Sequence, residues 1–170
     1  YQPVDGGGYT LTEPVGIGFR LPTEAEWEFV PRAAGTGKPL KYPGGRGLPV
    51  GSGSANVGGG EAFALLGAAL EGHKDEFPAA SAPALFPPNA MGFYDFAGNV
   101  SEWVNDRYLS FVPSSAVTDP LGPPDGKAHA YRGSNWRTVA SSELRFPWRE
   151  GAIDATDYIG FRVARYVAPP

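Results

Sequence analysis

The run Pro88-Asn89-Ala90-Met91-Gly92-Phe93-Tyr94-Asp95-Phe96-Ala97-Gly98-Asn99-Val100-Ser101-Glu102-Trp103-Val104 decides how the rest of the chain is read. It interleaves large apolar and aromatic residues with Asp95, Glu102, two asparagines and two glycines. A plain core strand has no use for the carboxylates, and a plain loop has no use for Phe93, Phe96, Trp103 and Val104. Gly92 and Gly98 permit backbone conformations that other residues resist. The turn Ala97-Gly98-Asn99 is able to fold Asp95 back towards Glu102. From Val100 onward the pattern predicts a strand, with Val100, Glu102 and Val104 on one face and Ser101, Trp103 and Asn105 on the other. A carboxylate among valines is costly unless it is paired, hydrogen-bonded or bound to a metal. Three readings of Glu102 stay open on spacing alone: a partner arginine, a wet edge strand, or a hard cation such as calcium held by carboxylate and carbonyl oxygens.

Outward from that run, composition sets limits. The chain has 170 residues, one domain's worth and enough for a real core. Hydrophobic residues make 42% and charged residues 19%, the balance of a globular chain. The net charge of -4 argues against a nucleic-acid partner. No apolar run is long enough for a transmembrane helix, and no signal peptide is visible. With Cys 0, disulfides, thiolate metal sites and cysteine nucleophiles drop out. His73 and His129 are far apart in loop-like surroundings and read as solvated loop residues rather than metal ligands. Gly 24 and Pro 18 make about a quarter of the chain, which predicts long ordered loops around little regular structure.

Residues 1–18 read as a Gly-rich arm (with Tyr9, Leu11, Val15 and Ile17) and 19–170 as the domain proper. Thr23 and Glu26 form a Thr-x-x-Glu capping box at the start of a helix that carries Trp27 and Val30 on one face. Glu24 and Glu26 suit the positive end of that helix, and Pro31 is expected to end or kink it early. Residues 35–60 read as a loop anchored at Tyr42-Pro43, in which Asn56 offers a side-chain oxygen and Val57 a backbone one. Ala62, Leu65, Leu66, Ala69 and Leu70 give a weak helical stripe that Gly67 interrupts, and packing is its expected role. Asp75 and Phe77 open the next Pro-rich loop. Residues 105–128 read as loop, 131–137 as a strand interrupted by Gly133, and 158–165 as a strand alternating Phe161 and Val163 with Arg162 and Ala164.

Four segments in order carry a resemblance: Phe19-Arg-Leu-Pro-Thr-Glu-Ala-Glu-Trp-Glu28, Pro88-Asn89 through Gly98-Asn-Val-Ser-Glu-Trp-Val104, Tyr131-Arg-Gly-Ser-Asn-Trp-Arg137 and Ile159-Gly-Phe-Arg-Val-Ala-Arg165. Together they resemble the formylglycine-generating-enzyme (sulfatase-modifying factor) family, from about Phe19 to Arg165. The resemblance implies an α+β fold, a variant of the C-type-lectin-like fold with few helices and long loops. Family domains usually carry more residues before the Arg-Leu-Pro-Thr-Glu segment, so the chain is expected to be a piece, a processed product or a shortened version. The resemblance also implies two structural calcium sites. One is similar to Asn56, Val57, Asp75 and Phe77, and the other to Asp95, Gly98, Val100 and Glu102.

The enzymes of the family act through paired cysteines that bind copper. The segment that corresponds here, Arg137-Thr-Val-Ala-Ser-Ser-Glu-Leu-Arg145, has none, and soft copper(I) needs thiolates. No copper is therefore expected, and no formylglycine-generating activity. The motif before that segment is altered as well, Arg-Gly-Ser-Asn-Trp instead of Arg-Gly-Gly-Ser-Trp. A second branch of the family holds iron with histidines of a separate helical domain, which this chain does not contain.

Two functions compete. The first is a non-catalytic, calcium-stabilised recognition or scaffold module that serves other protein subunits in a periplasmic or cell-surface assembly. Its contact patch is expected around Trp136, Arg137, Arg145, Phe146, Trp148 and Arg149. The second is a cysteine-independent oxidase or maturation enzyme using Glu143, Ser142 and Arg145, with Glu143 as general base.

Overall fold

The computed structural model describes residues 1–3, 5, 9–10, 17–33, 38–43, 47, 50–110 and 117–167. The expectations for Leu11, Val15, Gly35, Gly37, Gly44 and Gly45 lie outside the described residues. Two short strands, β1 (Gln2–Pro3) and β2 (Tyr9–Thr10), pair antiparallel in the arm. The helix α1 spans Glu24–Ala33. A turn of 3-10 helix (Gly60–Ala62) leads into α2 (Phe63–Leu66), and then come β3 (Ser101–Arg107), β4 (His129–Arg132), β5 (Arg149–Ala152) and β6 (Ile159–Phe161). The last four form one sheet in the order β5-β4-β3-β6. β3 lies antiparallel to β4 and parallel to β6, so Glu102 sits level with Arg132 on one side and Gly160 on the other.

The expected capping box is present in both directions. Glu26 N–H donates to Thr23 Oγ1 at 3.2 Å, and Thr23 N–H donates to Glu26 Oε2 at 2.8 Å. Arg20 then puts both terminal nitrogens on the Glu26 carboxylate, at 2.6 and 2.7 Å, and holds its pKa below the usual range. Pro31 does not end the helix, which runs on to Ala33. The missing N–H of Pro31 withdraws one donor, the one due to the Trp27 carbonyl four residues back, while the carbonyls of the last turn lack helical partners in any case. The Arg32 carbonyl accepts instead from Leu40 N–H.

Trp27, only 1% exposed, is the centre of the main core with Phe96, Val104, Ala130 and Phe146. Its ring meets the Phe96 ring edge-on, with centroids 5.1 Å apart. A second cluster, Val50, Ala55, Val57 and Leu144, lies under the loops, and Tyr42 packs against it as expected. The alternation expected from Val100 holds from Glu102 on, with Glu102, Val104 and Asp106 buried and Trp103 and Asn105 half-exposed, but it fails at its start, where Ser101 is fully buried and Val100 half-buried.

Four other expectations need correction. The strand extends to Arg107, so the loop begins later than residue 105. The stripe after residue 61 closes at Gly67, whose left-handed φ of 71° terminates α2 and leaves Phe63 and Leu65 exposed. Strand β4 begins at His129 and stops at Arg132, because Gly133 takes a φ of 85°. In the C-terminal strand the alternation is kept, but Phe161 and Val163 face solvent and Arg162 faces inward.

Candidate functional site

Two donor sets meet in the loop layer, joined by a backbone bridge. Asn56 pairs with Gly98, and the Asn56 carbonyl accepts from Asn99 N–H at 2.6 Å. Gly98 has a φ of 80°, and a Cβ there would run into the Asn56 carbonyl. Only glycine serves at this position.

In the first set Asp75 is the hub. Its Oδ2 accepts from Val57 N–H at 2.8 Å and its Oδ1 from Phe77 N–H at 2.9 Å. These bonds bring together Asp75, Val57 and Phe77, three of the four residues that the resemblance implies for one calcium site. Asn56 joins them through the chain, its amide nitrogen donating to the Ala79 carbonyl at 3.0 Å. That bond fixes which way the amide points and leaves Asn56 Oδ1 buried with no partner. Two residues that the sequence reading missed complete the group. Glu61 Oε1 accepts from Asp75 N–H at 3.3 Å, while its Oε2 is buried and unpartnered. His73 is the other, and it is not a solvated loop residue. It is 4% exposed, with Nε2 3.0 Å from the Ala55 carbonyl and 3.2 Å from Asp75 Oδ2. Burial pushes the Asp75 carboxyl up, and the neighbouring Glu61 adds to the rise.

Orphaned oxygens on Asn56 and Glu61 beside a crowded carboxylate are what a hard cation would satisfy, so this donor set fits calcium. Among the described residues no three His, Asp or Glu side chains group as a metal cluster. An ion here would therefore draw on the asparagine oxygen and backbone carbonyls as well.

The second set is arranged differently. Arg162 Nε and Nη2 lie 2.5 and 2.6 Å from the two oxygens of Glu102, and Trp27 Nε1 donates to Oε2 at 2.6 Å. Both lone pairs of Oε2 are thereby used. Arg162 Nη2 also reaches the Tyr94 and Asp95 carbonyls, at 3.2 and 3.4 Å. The Asp95 carboxylate turns to Ala84 N–H at 2.7 Å, and Gly98 N–H donates to Ser134 Oγ at 3.0 Å. Val100 is half-buried beside them. The Arg162 guanidinium thus takes the Glu102 carboxylate and the Asp95 carbonyl, and with both Glu102 oxygens engaged by it this set does not fit a divalent ion in this arrangement. Of the three readings open from spacing, the arginine partner is the one found.

The expected contact patch breaks up. Phe146 is part of the main core and Trp136 is 6% exposed, so neither is free for a partner. Arg149 is held by Glu24 at 2.5 and 2.7 Å and lies over the Tyr108 ring. Arg132, fully buried, joins the same cluster, pairing with Glu24 and Glu28 from α1. Arg137 remains exposed, over the Trp136 and Tyr158 rings, and Arg145 pairs with the half-buried Trp148. Glu143 is half-buried, and burial together with Glu150 raises its pKa. Ser142 meets Arg145 through its backbone carbonyl, at 2.8 Å. His129 is also drawn in from solvent. Its ring stands edge-on to Trp103, and burial and Arg107 lower its pKa.

Comparison with known proteins places this arrangement. The model of the "Sulfatase-modifying factor enzyme 1-like domain" matches residues 7–167. The chain is similar to the serine/threonine-protein kinase Pkn1 of Chlamydia trachomatis, 36% identical over 159 residues, covering 89% of this chain and 22% of the kinase. It is similar to the inactive C-alpha-formylglycine-generating enzyme 2 of Bos taurus, 31% identical over 162 residues, covering 90% of this chain and 46% of that protein. Among solved structures, Treponema denticola variable protein 1 superposes with a TM-score of 0.69 at 26% identity, covering 87% of this chain and 48% of the other. The chain thus spans between about a fifth and a half of the length of these proteins. The α+β architecture, with its small mixed sheet and long ordered loops, is that of the formylglycine-generating-enzyme-like, C-type-lectin-like fold. The chain belongs to the sulfatase-modifying factor enzyme 1-like (formylglycine-generating-enzyme) domain family.

Proposed function

We propose that this chain is a non-catalytic recognition or scaffold module, stabilised by calcium, that serves as an accessory part of a larger extracytoplasmic assembly. The observation that carries the reading is the segment Arg137–Arg145, which holds no cysteine while the scaffold around it is intact. Copper chemistry has no thiolate to use. Calcium is proposed at Asn56, Val57, Asp75 and Phe77, where Glu61 adds a carboxylate. At the second set Arg162 supplies the positive charge that an ion would bring. Such an ion ties loops together and stabilises the folded state by mass action. Its proposed place is the periplasm or cell surface, where calcium fills weak sites readily. Proposed partners are other protein subunits, met through Arg137, Arg145 and Trp148 rather than through the whole expected patch. Two comparisons support the reading: a relative named inactive, and a kinase of which this domain matches about a fifth.

The second reading, a cysteine-independent oxidase or maturation enzyme, is favoured by the raised pKa of Glu143 alone. Oxygen uptake separates the two. Across a panel of peptide and chromophore substrates, the purified chain is expected to consume no oxygen above buffer. Turnover that Glu143→Gln abolishes would overturn the non-catalytic reading.

A further inference from the structure

Strand β6 ends the sheet, with β3 on one side and no described strand on the other. Which peptide groups face that open edge follows from the pairing. Ser101 N–H donates to the Tyr158 carbonyl at 2.8 Å, and Ala164 and Arg20 exchange both backbone bonds, at 2.8 and 3.0 Å. The even-numbered residues from Tyr158 to Ala164 therefore point their peptide groups towards β3 and the Arg20 segment. Strand alternation turns the N–H and C=O groups of Ile159, Phe161 and Val163 to the open edge. Among the described residues, Val163 and Arg165 make no backbone hydrogen bond. The side chains do not protect this edge either: Phe161 is 68% exposed and Val163 56%. Natural edge strands are blunted by lysine, proline or a bulge. Residues 159–164 contain no lysine or proline, and the β3–β6 register has no shift. Their one charge, Arg162, is turned inward onto Glu102, so it does not repel a neighbouring strand.

What selects the occupant is the sequence of the edge itself. Asp157 stands in the turn before β6 with its side chain 69% exposed, and Arg165 is exposed at the far end, over the Phe19 ring. Phe161 lies midway between them. An antiparallel copy of the same edge, centred on Phe161, sets Phe161 against Phe161, Ile159 against Val163 and Asp157 against Arg165. The apolar pairs all use edge-facing residues, so the open peptide groups of the two copies meet as hydrogen-bonded pairs. Sliding the register by two residues either way sets Asp157 opposite Val163 or Val167 and loses the charge match. These charges are exposed, so they select the register more than they supply affinity. The contact that Asp157 already makes, 3.4 Å to the exposed Arg137, is weak enough to exchange.

We propose that β6 pairs antiparallel with β6 of a second copy of this chain, across a two-fold axis at Phe161. The interface is isologous, the same edge serving both copies. It joins two four-stranded sheets edge to edge and covers the exposed faces of Phe161 and Val163. It needs neither calcium nor the proposed contacts of Arg145 and Trp148.

Sedimentation equilibrium of the purified chain, from micromolar to millimolar concentration, tests the pairing. The expected result is a monomer–dimer equilibrium with a dissociation constant in the micromolar range, as suits a small interface. Phe161→Asp sets two carboxylates face to face at the axis and should leave only monomer, with the melting temperature of the dilute chain unchanged. Asp157→Arg or Arg165→Asp alone should weaken the dimer about tenfold, and the two together should restore it. The chain has no cysteine, so a single one reports on the axis. Phe161→Cys should oxidise to a covalent dimer about tenfold faster than Ile153→Cys, which is equally exposed but off the axis. A chain that stays monomeric at millimolar concentration would overturn the second copy as occupant. A dimer that survives Phe161→Asp, or that cross-links as fast through Ile153→Cys, would overturn the β6 edge as its seat. A double charge swap that fails to restore association would overturn the register.

Discussion

Arg162 sets two of its guanidinium nitrogens on the Glu102 carboxylate, at 2.5 and 2.6 Å, sixty residues apart in the chain. The pair lies where the central strand meets the C-terminal one, with Trp27 donating to the same carboxylate from α1. Three distant pieces of the fold therefore meet on one acid. Removing one partner of such a pair leaves an uncompensated buried charge, because Glu102 is only 5% exposed.

Arg162→Met is accordingly expected to destabilise the chain by about 3–5 kcal/mol at neutral pH. The double substitution Arg162→Met with Glu102→Gln should recover a large part of that loss, since no lone charge remains. Urea denaturation of the two variants checks this. A single variant that unfolds at the wild-type midpoint would mean the pair is solvated and inconsequential.

Asp106 gives a pH dependence of known sign. It is 4% exposed, accepts from Glu24 N–H at 2.7 Å, and burial pushes its pKa up to about 6. The folded state therefore binds a proton that the unfolded chain has lost, and stability falls as pH rises from about 4 to about 6. Above that range the penalty is complete, on the order of 3 kcal/mol for a rise of this size. Asp106→Asn keeps the acceptor for Glu24 N–H and removes the charge. It should raise the melting temperature at pH 7.5, with the gain shrinking to nothing below about pH 4. A gain that is equal at both ends of the range would show that Asp106 is not the group responsible.

The helix start predicts a smaller effect. Thr23→Ala removes the oxygen that Glu26 N–H uses and should cost about 1 kcal/mol, the usual worth of an N-cap. Glu26→Gln should cost less, because the Arg20–Glu26 pair is more than a third exposed on the glutamate side and solvent screens it. If the order of the two is reversed in denaturant titrations, the ion pair and not the cap holds this end.

What could be read from the chain beforehand follows from range. The capping box spans four residues and holds, and the alternation of β3 holds from Glu102 to Arg107; both are local patterns. The burial of His73 is not local: it is made by the Val50 and Ala55 carbonyls, some twenty residues back, together with Asp75. The sequence pattern suits Glu24 to the helix dipole and assigns Glu28 no role, whereas Glu24 receives Arg132 and Arg149, and Glu28 receives Arg132, from more than a hundred residues away. Trp136 and Phe146 looked available as contact residues, because an aromatic beside an arginine has the same appearance in a core as at an interface; Phe146 is core. Strand β5, Arg149–Ala152, has no apolar alternation to announce it and forms by pairing with β4. Glu61 shows its part only through its bond to Asp75 N–H.

The most direct test of the central claim is the calcium content of the purified chain, measured together with its melting temperature in calcium and in chelator. One calcium per chain, lost in Asp75→Asn, with a chelator-induced drop in melting that the variant no longer shows, is the predicted result. Two ions per chain would contradict the role given to Arg162. No bound calcium, with identical melting in both buffers, would contradict the account at its centre.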